Sequence, residues 1–174
     1  MIDNLNKLQQ LLDGFTRKLA SVIAWSTLGM VLITALIIIL RETFRVGWIA
    51  MQESVIYLHA AVFMLGSAYT LQQDEHVRVD VFYRKFSKKG KALANLFGTL
   101  FFLLPVAIYI FVTGFGYVAS SWQILEASQE SGGIPAVFIL KSLILAFSTL
   151  MIMQGVAQII KYGLVLLTKQ EPES

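Results

Sequence analysis

"LASVIAWSTLGMVLITALIIIL", Leu19–Leu40, carries no charged residue over 22 positions. A helix rises about 1.5 Å per residue, so roughly 20 residues cross about 30 Å of hydrocarbon. The stretch has the length and composition of a membrane span. Three further runs repeat it. Ser54–Gln73 holds only His59 among potentially charged groups. Ala92–Leu125 is free of charge over 34 residues, enough for one long or tilted span but not for two joined by a loop. Gly132–Ile160 contains one charge, Lys141. Lipid cannot hydrogen-bond a bare backbone, so such runs span as helices. The chain therefore reads as an all-α integral membrane protein. Its four transmembrane helices fall at about 19–40, 53–73, 92–120 and 134–160. Pro105 is placed to kink the third, and Gly114-x-Gly116 to admit a close neighbour.

Composition agrees. Of 174 residues, 56% are hydrophobic and 14% charged, with a mean hydropathy of +0.68. A soluble domain is closer to a quarter charged. The absence of cysteine excludes disulfides, thiolate metal sites and thiol catalysis.

Before the first span, Leu5, Leu8, Leu12, Phe15 and Leu19 share one helical face, while Lys7, Asp13, Arg17 and Lys18 lie elsewhere. Residues 1–18 thus read as an amphipathic surface helix leading into the span. The alternative is an unstructured tail. No A-x-A-like cleavage site follows the apolar run, so the first span is expected to stay in the mature protein.

Basic residues orient the chain. Lys7, Arg17 and Lys18 precede span one. Arg78, Arg84, Lys85, Lys88, Lys89 and Lys91 lie between spans two and three, and Lys161 and Lys169 follow span four. These eleven share one side, against Arg41 and Arg45 on the other. Both termini, with the tail 161–174, are expected in the cytoplasm. Within "DEHVRVDVFYRKFSKKGK", Asp74–Lys91, the His76, Arg78 and Asp80 alternation suits an extended exit from span two. Asp80 then suits the N-cap of a short interfacial helix, and Ser87 the cap of the next. Phospholipid phosphate accounts for these charges, so no nucleic acid is needed as partner.

Chemistry-bearing motifs are scarce. The phosphate loop, G-x-S-x-G and H-E-x-x-H are absent. His59 and His76 stand about 17 residues apart, some 25 Å along a helix, too far to ligate one haem together. No catalytic, cofactor or metal residues are assigned. Two intramembrane charges remain: Glu53 at the start of span two and Lys141 in span four. Lys141 either snorkels to the interface or pairs with Glu53 or another acid.

"QESVIYLHAAVFMLGSAYTLQQDEHVRVDVFY", Gln52–Tyr83, resembles the signature of the small membrane subunit, DctQ type, of tripartite ATP-independent periplasmic (TRAP) transporters. Matching positions are Glu53, Gly66, Ala68 and His76 to Asp80. Glu75 departs from the glycine that many members carry there. "GGIPAVFILKSLILAFSTLMIMQGVAQIIK", Gly132–Lys161, is similar too. The resemblance implies a non-catalytic scaffold without cofactors, bracing a large elevator-type TRAP membrane subunit that imports an organic acid with sodium. A periplasmic substrate-binding protein delivers the solute.

On that reading Glu53, Gly66, His76, Arg78, Asp80 and Lys141 are structural or interface candidates. Gly66, with Ser67 and Ala68, forms a small-residue patch where the large subunit is expected to pack. Arg41, Glu42, Arg45, Glu126 and Glu130 are docking candidates for the binding protein. Two other classes stay open: a membrane anchor of a redox complex holding haem or quinone, and a self-sufficient small transporter.

Overall fold

The computed structural model describes residues 2–75, 83 and 85–167. Four helices are long and apolar enough to cross a membrane. They are α1 (Ile2–Phe44), α2 (Ile49–Gln72), α3 (Lys88–Gln123) and α4 (Val137–Leu167). No strand occurs among the described residues. The chain is all-α, as the apolar runs require. The interfacial helix expected between spans two and three falls mostly on residues outside the described ones.

The helices outrun the expected spans, because nothing in the sequence stops them at the edge of the hydrocarbon. Residues 2–18 are helical, and they continue α1 without a break at residue 19. At 43 residues α1 is about 64 Å long, twice the apolar thickness of a bilayer. The expected tail also begins later than residue 161: α4 runs on through "YGLVLL" to Leu167 and buries Tyr162. At its other end α4 starts only at Val137. Pro135 and the positive φ of Gly132 (79°) hold the preceding residues in a turn.

Three helix ends use a left-handed residue that is not glycine, the first being Arg45 (φ 55°) after α1. After α2, Asp74 (φ 63°) lets the Glu75 N–H reach Thr70 O at 3.1 Å and its own N–H reach Leu71 O at 3.2 Å. After α3, Leu125 (φ 45°) does the same, with the Glu126 N–H on Ser121 O at 3.0 Å and its own on Trp122 O at 3.2 Å. The latter two are Schellman closures, which satisfy carbonyls that a helix end leaves bare. At the start of α3 the Ser87 hydroxyl accepts from the Gly90 N–H at 3.2 Å, the cap expected from the sequence.

α4 packs against each of the other three helices, and 39% of its apolar window is buried against 6–11% in the others. It is the centre of the bundle. Ala68, Leu71, Ala107, Leu150 and Met151 form the core. α3 meets α4 through a π-helical turn, Thr99–Leu103, where the Leu104 N–H bonds to Thr99 O. Pro105 follows at once. It has no N–H to return to the carbonyl four residues back, so one wider turn absorbs the defect. The wide turn presses Leu103 and Leu104 onto Gly155, where an added Cβ would lie 2.8 and 2.9 Å from their Cδ2 atoms. The bare backbone at Gly155 leaves room for both leucine side chains between α3 and α4.

Candidate functional site

Two polar networks hold the ends of the bundle, one at each membrane face. At the end carrying the α1–α2 and α3–α4 connections, Glu53 stands in the first turns of α2. It does not meet Lys141. One carboxylate oxygen accepts from the Ser128 hydroxyl, and the other from the Ile134 N–H at 2.6 Å. The loop between α3 and α4 is closed on itself by the Ser128 N–H to Ile134 O, at 3.2 Å. Glu53 therefore latches this loop to α2. Gly133 makes the latch possible: a Cβ there would lie 2.6 Å from Ser128 Cβ and 2.8 Å from Glu53 Oε1.

The partner of Lys141 is Glu126. Its Nζ lies 2.5 Å from Glu126 Oε2 and 4.1 Å from the centre of the Tyr117 ring. The same Glu126 oxygen accepts from the Ser121 hydroxyl at 2.6 Å. The left-handed Leu125 turns Glu126 back beside the helix and so brings the acid to the lysine. Trp122 seals the outside, donating from Nε1 to Ser142 Oγ at 2.8 Å and stacking edge-on with Phe138. Trp48, exposed at the start of α2, and Trp122 mark this level as a membrane–water interface.

The Lys141 ammonium and the Ser121 hydroxyl hold the Glu126 carboxyl below its ordinary value of 4.5. A carboxylate with a lowered folded pKa contributes stability above its unfolded pKa. That contribution is lost as pH falls through the folded value. The difference in Tm between wild type and Glu126→Gln is therefore expected to be constant near neutrality and to shrink as pH drops below 4.5. A difference unchanged down to the lowest accessible pH would contradict the pairing.

At the opposite end a second network joins all four helices. Gln154, 2% exposed, donates from Nε2 to Asp13 Oδ1 at 2.9 Å and accepts from the Thr16 hydroxyl at 3.0 Å. Gln72 donates to Asp13 O at 2.9 Å. One turn along α4, Gln158 donates to Leu71 O at 3.0 Å and accepts from the Thr99 hydroxyl at 2.9 Å. α1, α2 and α3 are each pinned to α4 by an amide. None of these residues was singled out from the sequence. The available signal was the Gln154/Gln158 pair, four apart in an otherwise apolar helix and so on one face.

The remaining candidates scatter. Arg41 and Glu42 are both exposed and 3.8 Å apart. Arg45 and Glu130 are exposed in their loops. The small-residue patch on α2 divides: Ala68 is fully buried in the core and the Ser67 hydroxyl donates to Met64 O, whereas a Cβ on Gly66 would meet nothing within 4 Å. His76, Arg78 and Asp80 lie outside the described residues.

A family model, "Tripartite ATP-independent periplasmic transporters, DctQ component", matches residues 30–162. The chain belongs to the DctQ family. It is a small membrane component of a TRAP transporter, multi-pass in the inner membrane, from a tripartite system with a large membrane subunit and a periplasmic binding protein. This takes the place of the redox-anchor and lone-transporter readings. The loop latch and the Lys141–Glu126 pair of this DctQ subunit lie wholly within the matched span. In the second network Gln154 and Gln158 fall inside it, while Asp13 and Thr16 precede it. Neither a curated protein nor a solved structure matches the chain.

Proposed function

We propose that this DctQ subunit is a non-catalytic scaffold. It braces the large elevator-type subunit of a TRAP transporter that uses the sodium gradient to import an organic acid delivered by the periplasmic binding protein. The observation carrying this reading is how the polar side chains between the helices are used. Asp13, Thr16, Gln154, Gln158, Glu53, Glu126 and Lys141 bond one another or the backbone and tie helix to helix. A transport site needs polar groups turned toward a solute, at the middle of the membrane. Here they are spent at the two ends, where they fix the spacing of the bundle. The basic-residue bias supports cytoplasmic termini and, with them, a periplasmic position for the latched loop.

The test is reconstitution. Liposomes with the subunit alone are expected to take up no acid, and those with both membrane subunits, the binding protein and a sodium gradient to take it up. Uptake by the subunit alone would remove the scaffold reading. The same assay reads docking. Exposed Arg41, Arg45 and Glu130 are free to meet the binding protein, whereas Glu126 is engaged with Lys141. Reversing Arg41 and Arg45 to Glu should slow uptake, most at low salt. A rate unaffected at every salt concentration would return them to ordinary loop charge.

A further inference from the structure

The outward face of α2 carries a group that hydrocarbon does not solvate. Gln52, Ile56, His59 and Phe63, spaced four, three and four apart, are all exposed on one side of the helix. His59 is the eleventh residue of α2, about 15 Å from its start and so near the middle of a roughly 30 Å apolar layer. Its ring stacks on Phe63 with centroids 6.4 Å apart. Among the described residues its imidazole has no hydrogen-bond partner. Ionisable groups at this depth normally face a bundle interior, where another polar group meets them. In this bundle His59 faces out.

Beside it the surface is hollow. A groove of about 830 Å³ runs between α1 and α2, lined on α2 by Val62, Phe63, Gly66 and Thr70 and on α1 by Ala20 and Ala24. Gly66 weakens a helix relative to alanine, and no contact among the described residues requires it, since a Cβ there would meet nothing within 4 Å. Small walls beside a polar group are what close helix–helix association in lipid uses. α3 also borders a groove, of about 500 Å³ and lined by Gly98 and Phe102, but its exposed residues Phe97, Phe101, Phe102, Val112 and Tyr109 include no imidazole, so His59 is what sets the α2 face apart.

We propose that the His59 face of α2 and the adjoining groove form the docking surface for one transmembrane helix of the large TRAP subunit, which presents a polar side chain or open carbonyl to the His59 imidazole. The choice of occupant follows from polar complementarity. An acyl chain could fill the groove, but it offers the imidazole no donor or acceptor at the midplane. The inference rests on the scaffold reading and adds to it the contact face.

Photo-crosslinking side chains placed singly at Ile56, Phe63 and Phe101 in the intact complex, in membranes, test this. Ile56 and Phe63 should give adducts at the combined mass with the large subunit, and Phe101 on α3 should not. His59→Ala should weaken recovery of the large subunit about threefold to fifteenfold, and His59→Gln, which still hydrogen-bonds, should recover part of it. If the large subunit co-purifies while Phe63 labels only lipid or a second copy of this chain, or if only Phe101 labels it, the proposed face is wrong and the scaffold reading stands. If no large subunit co-purifies with the unsubstituted chain, the scaffold reading falls and the interface with it.

Discussion

Gly133→Ala is expected to unlatch the loop between α3 and α4. Gly133 does not lie in the left-handed region, so alanine meets no backbone strain of its own there. The cost is contact. The new Cβ would sit 2.6 Å from Ser128 Cβ, which is fixed to the backbone, and 2.8 Å from Glu53 Oε1, which can swing away only by giving up the latch. Overpacking costs about 1–3 kcal/mol, and each hydrogen bond lost from a carboxylate about 1.5–3 kcal/mol. A loss of about 3 kcal/mol corresponds to a Tm lower by roughly 6–12 °C in a protein of this size.

Gly132→Ala is the control. Its backbone is left-handed, with φ 79°, but a Cβ there meets nothing within 4 Å. That strain costs about 1–2 kcal/mol. The expected order is Gly133→Ala below Gly132→Ala below wild type in thermal unfolding of the purified protein. The reverse order would show that the turn, and not the latch, sets the stability of this end.

Gln154→Leu should be the most damaging single change at the other end. It removes the donor to Asp13 Oδ1 and the acceptor of Thr16, in a site 2% exposed. Thr16 can fall back on Leu12 O, 3.1 Å away. Asp13 keeps a donor from Gln9 on its other oxygen, at 3.2 Å, but Oδ1 loses its bond to Gln154. A hydrogen bond to a charged group contributes about 1.5–3 kcal/mol, so the expected fall in Tm is roughly 3–12 °C. Gln158→Leu breaks a separate set of partners, Leu71 O and Thr99. The two lie one turn apart in the same network, so the double variant should depart from the sum of the single losses, and the departure reads their coupling. A Gln154→Leu protein as heat-stable as wild type would mean that the Asp13 bond does not tie α1 to α4.

The bundle was legible because hydropathy needs no three-dimensional information. Four apolar runs, each with at most one ionisable side chain, can be counted along the chain, and each became one helix. The sites were legible only where chemistry was conspicuous. Glu53 and Lys141 drew notice as charges in apolar surroundings, but their partners depend on loop geometry. Lys141 meets Glu126 because Leu125 adopts a left-handed conformation, which nothing about leucine announces. Glu53 meets a backbone N–H, and a backbone N–H is present at nearly every position. Gln154 and Gln158 were passed over because a search for charge ignores amides. Asp13, read as the solvated side of a surface helix, instead accepts the Gln154 amide because α1 continues straight past α4.

The π-helical turn of α3 leaves an arithmetic trace. Ala92, Thr99, Ala107, Val118 and Ser121 are the buried residues of α3. The step from 92 to 99 is seven, two ordinary turns, but the step from 99 to 107 is eight. The extra residue is the wide turn. α3 is thus two helical stripes slipped by one place, so the number of residues between Thr99 and Ala107 carries information that their identities do not. A chain shortened there by one residue would either lose the wide turn and set Pro105 against an ordinary helix, or rotate everything beyond it by about 100° and swing Ala107 and Val118 away from α4. Substitutions in this stretch can be absorbed one at a time. A frame-preserving deletion of a single codon could not be, although it would leave the hydropathy profile almost unchanged.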